Sequence, residues 1–232
     1  MSEIEQLIED VDQALTEKRY RPGGWQRLVA EVDKLPLAER VLLQERISSL
    51  GNKLHQRHGF LRMWFPLAFA IEICLAVGGL ALLLGGGDFV LVMTGFAFLL
   101  LSLQPLIKTV VGLMVGVRYA YAYLWYLEPR FKMQYGTYLS LTPMQRIVFH
   151  SSGIIGTPLA LLFAIQMLQA YEPAMFWGWL LFWVAIALQL VPFLAELTGL
   201  KKVGPFRLAV LTGAATIAAE IKKMSRGHAF ED

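Results

Sequence analysis

One acidic side chain, Glu72, stands out because it lies near the centre of a long apolar segment. That segment covers residues 61–84, and its other charged residue, Arg62, lies at its edge. An ionisable group in the middle of a membrane span is costly, and it is therefore a candidate for proton relay, cation binding or ion pairing. The structural alternative is a protonated Glu72 that hydrogen-bonds a neighbouring helix and fixes the register of the two helices. The sequence leaves both possibilities open.

Few other polar side chains can reach Glu72 inside a bilayer. The second apolar segment offers Gln104 and Lys108, and the fourth ends near Glu196. We expect these residues to form an intramembrane polar set with Glu72, because polar groups in lipid pair with one another. The third and fourth segments hold further glutamine partners: Gln166, Gln169 and Gln189.

Basic and aromatic residues occur together in the middle of the chain, around the run YAYAYLWYLEPRFKMQY. The basic residues of this patch are Arg118, Arg130, Lys132 and Arg146. A basic and aromatic surface suits anionic lipid head groups or a partner protein. The alternative is that these charges only set the topology, since Lys and Arg near membrane spans are retained on the cytoplasmic side.

The motifs of common enzyme classes are absent from the sequence. It contains no HExxH, GxSxG, Walker A or GxGxxG pattern, so we predict no catalytic residues and regard an enzyme as the less favoured class. His55 and His58 offer two metal ligands, but no carboxylate or cysteine completes a set, so no metal site is predicted. His58 or His150 is able to bind a haem iron, yet a single histidine identifies no cofactor.

The composition is that of an integral membrane protein. Of 232 residues, 56% are hydrophobic, and the mean hydropathy is +0.51. Soluble domains are about 45–50% apolar. The apolar residues also form blocks long enough to cross a hydrocarbon core of about 30 Å. We therefore predict an all-α, polytopic membrane protein whose transmembrane helices cover residues 61–84, 89–107, about 153–170 and about 174–195.

The arrangement of basic residues predicts the topology. Short turns at 85–88 and 171–173 join the four spans into two hairpins, and neither turn contains any of the 21 Lys and Arg residues. Because basic residues near spans stay in the cytoplasm, we predict a multi-pass protein of the plasma (inner) membrane with both termini cytoplasmic. The acidic N-terminus lacks the basic start of a cleaved signal peptide, so the spans are expected to direct insertion.

Three domains are expected along the chain. Residues 1–60 form a cytoplasmic region of amphipathic helices, because apolar residues recur there at helical spacing. Residues 61–196 form the transmembrane domain, which includes a cytoplasmic loop at 109–150. Residues 197–232 form a cytoplasmic C-terminal helix and tail.

The second span is expected to leave the bilayer near Lys108 and to continue as a helix as far as Tyr126. In this extension Gly112 and Gly116 make a small-xxx-small pattern, which favours close helix packing. The amphipathic helices of the N-terminal region are too short to bury much surface alone, so we predict that they pack on the extension.

These observations favour a protein that works by assembly. We predict a structural or accessory subunit of a membrane complex that docks a partner through its cytoplasmic helices. One alternative is a small homo-oligomeric ion channel or transporter with Glu72 on its pathway, and another is a membrane enzyme that acts on lipid. The expected partners are membrane lipid and either further copies or other membrane subunits. Nucleic acid is excluded, because the basic residues are dispersed among acids in a very apolar chain.

Overall fold

The computed structural model describes residues 3–85, 88–125, 128–168, 172–199, 202–203, 206–207 and 213–227. Most of the described residues are helical, and four helices are long and apolar enough to span a membrane. These confirm the predicted mostly helical, multi-pass chain. The four helices are α4 (Phe65–Gly85), α5 (Phe89–Val115), α7 (Pro143–Met167) and α8 (Glu172–Thr198). Of the predicted turns at 85–88 and 171–173, residues 86, 87 and 171 lie outside the described residues, and α8 already begins at Glu172.

Contacts divide the chain into two compact units. The first unit contains Met1–Phe65 and Leu113–Thr142. The second contains Pro66–Gly112 and Pro143–Asp232. Each unit is therefore assembled from two separate stretches of sequence.

Three amphipathic helices open the first unit, as their apolar spacing predicts. They are α1 (Glu3–Thr16), α2 (Gly24–Val32) and α3 (Leu37–Gln56). Each buries one face. The inward residues are Ile8, Val11 and Leu15 on α1, Leu28 and Val32 on α2, and Ile47 and Leu50 on α3.

The third helix packs against a short helix, α6 (Tyr135–Leu139). The two approach so closely that a Cβ at Gly136 would overlap the backbone of Gln44. Polar contacts secure this approach, because the Gly136 N–H donates to Ser48 Oγ at 3.1 Å and Arg40 donates to the Leu139 carbonyl at 2.9 Å. Glycine is therefore required at position 136.

A three-stranded antiparallel sheet replaces the helix that we predicted as far as Tyr126. Helix α5 ends at Val115, and Gly116 follows with φ 102°. This backbone conformation favours glycine and commonly ends a helix. The sheet contains β1 (Arg62–Trp64), β2 (Tyr119–Trp125) and β3 (Glu128–Met133), in the order β1-β2-β3. Tyr126 lies outside the described residues.

The helical extension was wrong beyond Val115 because aromatic residues favour a strand when another strand is available for pairing. Of the N-terminal helices that we predicted to pack on this stretch, α3 contacts it, and the contact is made with a strand. The His55 ring of α3 lies 5.8 Å from the Tyr121 ring and 4.4 Å from the Tyr123 ring. A second, two-stranded pairing joins β4 (Lys202–Val203) to β5 (Phe206–Arg207).

In the second unit, α4, α5 and α7 share one apolar core. Glycines let the helices approach, because a Cβ at Gly79 would lie 2.8 Å from the Gly95 carbonyl oxygen. A Cβ at Gly156 of α7 would overlap Gln104 of α5. The buried core residues are Ala76, Leu83, Val92, Leu99, Ala160, Ala164 and Leu168.

The last described helix, α9 (Gly213–Gly227), packs on α7 and α8. Its buried face consists mainly of small residues, which allows a close fit. Those apolar residues are Ala214, Ala215, Ile217 and Ala218. A helix is thus present within residues 197–232, where the sequence predicted a C-terminal helix and tail.

We predict that Gly79→Ala destabilises the folded chain by about 1–3 kcal/mol, because the added methyl group would be forced against α5. The neighbouring Gly78→Ala is the matched control, since no described heavy atom lies within 4 Å of a Cβ there. Alanine is the better helix former, so the control is expected to keep or slightly raise stability. Thermal unfolding in one detergent, followed by circular dichroism, compares the two variants. Equal midpoints would contradict the close approach.

Candidate functional site

Glu72 lies on the buried face of α4, between Ala68 and Ala76. The residue is 2% exposed, and its Oε2 atom has no hydrogen-bond partner among the described residues. A buried carboxylate without a partner is costly. Glu72 therefore remains the most unusual side chain of the membrane-spanning helices, as its position in the sequence suggested.

The other residues of the predicted intramembrane set lie on α5 and α8. Gln104 of α5 accepts a hydrogen bond of 2.8 Å from the Thr157 hydroxyl of α7. Glu196 lies near the end of α8 and is half-buried. The association of Glu72 with these residues stays a prediction.

Lys108 lies in the contact between α5 and α7. Its Nζ atom is 5.1 Å from the centre of the Phe149 ring, a cation–π geometry. Its aliphatic stem passes over Gly153, where a Cβ would come within 2.9 Å of Lys108 Cδ. The glycine therefore makes room for the lysine.

A buried ion pair fixes α9 onto α7. Arg146 and Glu220 are 3% and 4% exposed, and Arg146 Nη1 lies 3.3 Å from Glu220 Oε1. Lys223 approaches the same oxygen at 3.4 Å. Arg146 therefore cannot belong to an exposed basic patch, and our grouping of it with Arg118, Arg130 and Lys132 was wrong. The sequence could not reveal the pair, because its members are 74 positions apart.

The predicted packing glycines have different surroundings. Gly112 is buried in α5. Gly116 lies just beyond the end of that helix, and no described heavy atom comes within 4 Å of a Cβ built there. Its backbone conformation, and not close helix packing, accounts for glycine at this position.

Of the other basic residues of the patch, Arg130 and Lys132 lie on β3, and Arg118 lies just before β2 and outside the strands. The register of the sheet orders the first two together with Arg62. Arg62 pairs with Tyr123, which pairs with Arg130. Trp64 pairs with Tyr121, which pairs with Lys132. Residues directly opposite in an antiparallel sheet share a face, and so do residues two apart in one strand. These six residues therefore form one surface, which we name the basic–aromatic face.

Because side chains alternate between the two faces of a strand, the sequence could have predicted that Arg62 and Trp64 share a face. However, nothing local in the sequence indicated that residues near 62 would pair with residues near 122. The missed signal was the period of two in YAYAY, which is typical of a strand.

His55 covers one end of the basic–aromatic face. Its Nδ1 atom lies 2.9 Å from the Tyr121 hydroxyl. Burial, together with the smaller effects of Lys132, His58 and Arg62 in that order, lowers the pKa of His55 to about 4. Burial also raises the pKa of Tyr121. A neutral imidazole beside a protonated phenol is therefore the stable pair.

Lys132 is half-buried in the face, and burial lowers its pKa. No opposing carboxylate contributes to that pKa. Arg62 is exposed, and its guanidinium carbon lies 5.5 Å from the centre of the Tyr121 ring. Among the side chains that the structure describes, none supplies a carboxylate to Arg62 or Lys132.

The two histidines considered as metal ligands are neighbours, with ring centres 6.1 Å apart. Within the described ranges, no group of three His, Cys, Asp or Glu side chains is placed to hold a metal ion. The arrangement instead suits aromatic packing, because Phe60 lies 5.3 Å from the His55 ring and 5.3 Å from the Tyr123 ring.

Comparison with protein-family models, with curated proteins and with solved structures finds no match to the chain.

We predict that stability decreases as the pH falls from about 6.5 towards about 4, the window between the unfolded and folded pKa values of His55. The unfolded chain binds the proton more readily there, so protonation favours unfolding. Replacing His55 by Asn should flatten this part of the pH profile. His58→Asn is the control and should retain the wild-type slope. Thermal midpoints across the pH range measure the effect, and identical slopes for all three proteins would contradict it.

We also predict that Glu220→Gln costs about 3–5 kcal/mol, because it leaves the Arg146 charge buried without its carboxylate. Faster amide hydrogen exchange along α9 should accompany this loss. Lys222→Gln on the same helix is the control and should change neither property. If the two variants exchange at the same rate, the ion pair does not hold α9 in place.

Proposed function

We propose that the chain is a structural or accessory subunit of a membrane complex and that it docks a partner through its amphipathic N-terminal helices. One observation carries this proposal: α3 exposes apolar side chains although it lies outside the membrane-spanning helices. Leu42 is 81% exposed, and Leu37 and Val41 are also exposed. Leu37 and Val41 are one helical turn apart and share a face, and Leu42 extends the exposed apolar surface to the adjoining side of the helix.

An exposed apolar patch on a helix outside the membrane often marks an interaction site, because lipid does not cover it. The other faces of α1, α2 and α3 are charged, which limits the apolar contact area to this patch. A protein partner with a small complementary apolar surface fits the patch best.

The eighth helix supports the same proposal within the membrane. Only 6% of the most apolar part of α8 is buried inside the chain, against 44% for the most apolar part of α7. A single stripe containing Gly178, Phe182 and Ala195 is covered, while the rest of the circumference is exposed. That apolar surface is available to lipid and to the helices of other subunits.

The ion-channel alternative receives less support. Glu72 is buried against its own chain, so a pore between several copies would not be lined by this carboxyl group. The lipid-enzyme alternative also lacks a site, because no described contact brings His150 and Glu72 together. A catalytic site needs several polar groups within reach of one another.

The proposal includes the topology expected from the sequence. The short connections after α4 and before α8 support two transmembrane hairpins. The absence of Lys and Arg from residues 85–88 and 171–173 supports a cytoplasmic location for both termini in the inner membrane. The partner would then bind in the cytoplasm.

Native mass spectrometry of the protein purified from its own membrane in mild detergent tests the proposal. We expect co-purifying foreign chains, and we expect Leu42→Glu to reduce their amount at least tenfold because it places a charge in the apolar patch. Gln26→Glu, a substitution at an exposed position of α2, is the control and should retain the foreign chains. A ring of identical copies without foreign chains would overturn the proposal in favour of a channel.

A further inference from the structure

Glu72 is the single acidic or basic residue of α4, and it lies on the face that this helix buries. Its neighbours one turn away, Ala68 and Ala76, are small and also buried. Small side chains let an adjacent helix come close, which keeps the carboxyl group away from bulk water. An isolated negative charge in such a place is strongly unfavourable. The carboxyl group therefore needs a cation that neutralises it.

Close contacts fix the register between α4 and α5 near this residue. A Cβ at Gly79 would lie 3.1 Å from the backbone nitrogen of Leu99. A Cβ at Gly95 would lie 3.0 Å from the backbone nitrogen of Leu83. The later residue of α4 thus meets the earlier residue of α5, so the two helices run antiparallel where they touch.

This register places a buried hydroxyl at the level of Glu72. Moving seven residues from the contact between Gly79 and Gly95, towards the start of α4 and the end of α5, reaches Glu72 and Ser102. Both residues are buried, and both lie two helical turns from the close contact on its own side of the helix.

The donor of Ser102 is already used. Ser102 is 0% exposed, and its Oγ donates a hydrogen bond of 2.6 Å to the Phe98 carbonyl oxygen. A hydroxyl has one donor, so Ser102 can now only accept. An ionised carboxylate can also only accept. Neither Glu72 nor Ser102 offers a donor to the other unless the carboxyl group holds a proton.

The ionisable side chains of the helices that share the core with α4 have contacts of their own. They are Lys108 on α5 and Arg146 and His150 on α7. The Lys108 Nζ atom and the His150 ring lie 5.1 Å and 5.2 Å from the centre of the Phe149 ring. Arg146 pairs with Glu220. These contacts are made by α5, α7 and α9, and none of them involves α4.

A proton suits Glu72 better than a metal ion does. Its Oε2 atom is buried and has no hydrogen-bond partner among the described residues. Hard metal ions take about six or more oxygen ligands, which one carboxyl group and one hydroxyl cannot supply. Within the described ranges, no group of three His, Cys, Asp or Glu side chains is placed to hold a metal ion. A proton needs a single oxygen atom.

We propose that Glu72 is a proton-binding site inside the membrane unit. The carboxyl group binds one proton from the aqueous phase and thereby becomes a neutral acid that the contact between α4 and α5 can bury. The site lies within one chain, so it requires no pore between copies and does not depend on the proposed docking function.

Infrared spectroscopy of the full chain tests the proposal, because a protonated carboxyl group absorbs apart from a carboxylate. The protein is placed in nanodiscs of ether-linked lipid, which has no ester carbonyl to obscure the band. At neutral pH we expect a protonated carboxyl band in the wild type and its loss in Glu72→Gln. The band should shift in heavy water, since the proton comes from the aqueous phase. Adding sodium chloride should leave it unchanged.

Two further variants make the outcome specific. Glu196→Gln removes a half-buried carboxyl group from α8 and should keep the band. Glu72→Asp keeps an acid at the site and should shift the band without abolishing it, which preserves the test if Glu72→Gln does not fold. Absence of the band from wild type, or its persistence in folded Glu72→Gln, would overturn the proposal. So would its loss on adding sodium ions, which would identify a metal ion as the ligand, or a band that does not respond to heavy water.

Discussion

The membrane unit depends on the close approach of its helices. A Cβ at Gly79 would meet the backbone of Gly95, and a Cβ at Gly156 would overlap Gln104. In lipid the hydrophobic effect does not drive helices together, so van der Waals contact between backbones and short hydrogen bonds must do so. The hydrogen bond between Thr157 and Gln104 lies next to the close approach at Gly156. Of the four membrane-spanning helices, α8 buries the smallest fraction of its apolar part inside the chain.

Charge is handled differently in the two units. In the second unit, Arg146 and Glu220 neutralise each other inside the protein, and Lys108 lies over the Phe149 ring. In the first unit, the sheet gathers cations on one face without a described carboxylate for Arg62 or Lys132. Buried charges need a partner, and Arg146 and Glu220 supply it to each other.

The N-terminal helices and the sheet support each other. The glycine at position 136 allows α6 to pack tightly on α3, and His55 packs on two tyrosines of the central strand. Three short helices or three short strands alone would bury too little apolar surface to be stable. Their combination leaves Leu42 exposed on α3.

The sequence by itself determined the class of this protein. Long uncharged blocks specify the four membrane-spanning helices, because the length of an apolar run is a local property. Apolar spacing likewise specified the amphipathic helices of the N-terminal region. Only the tertiary structure decided that residues 119–125 form a strand and that Arg146 is buried against Glu220. Each of these depends on a partner distant in the chain, and local patterns carry no information about which distant segments will meet.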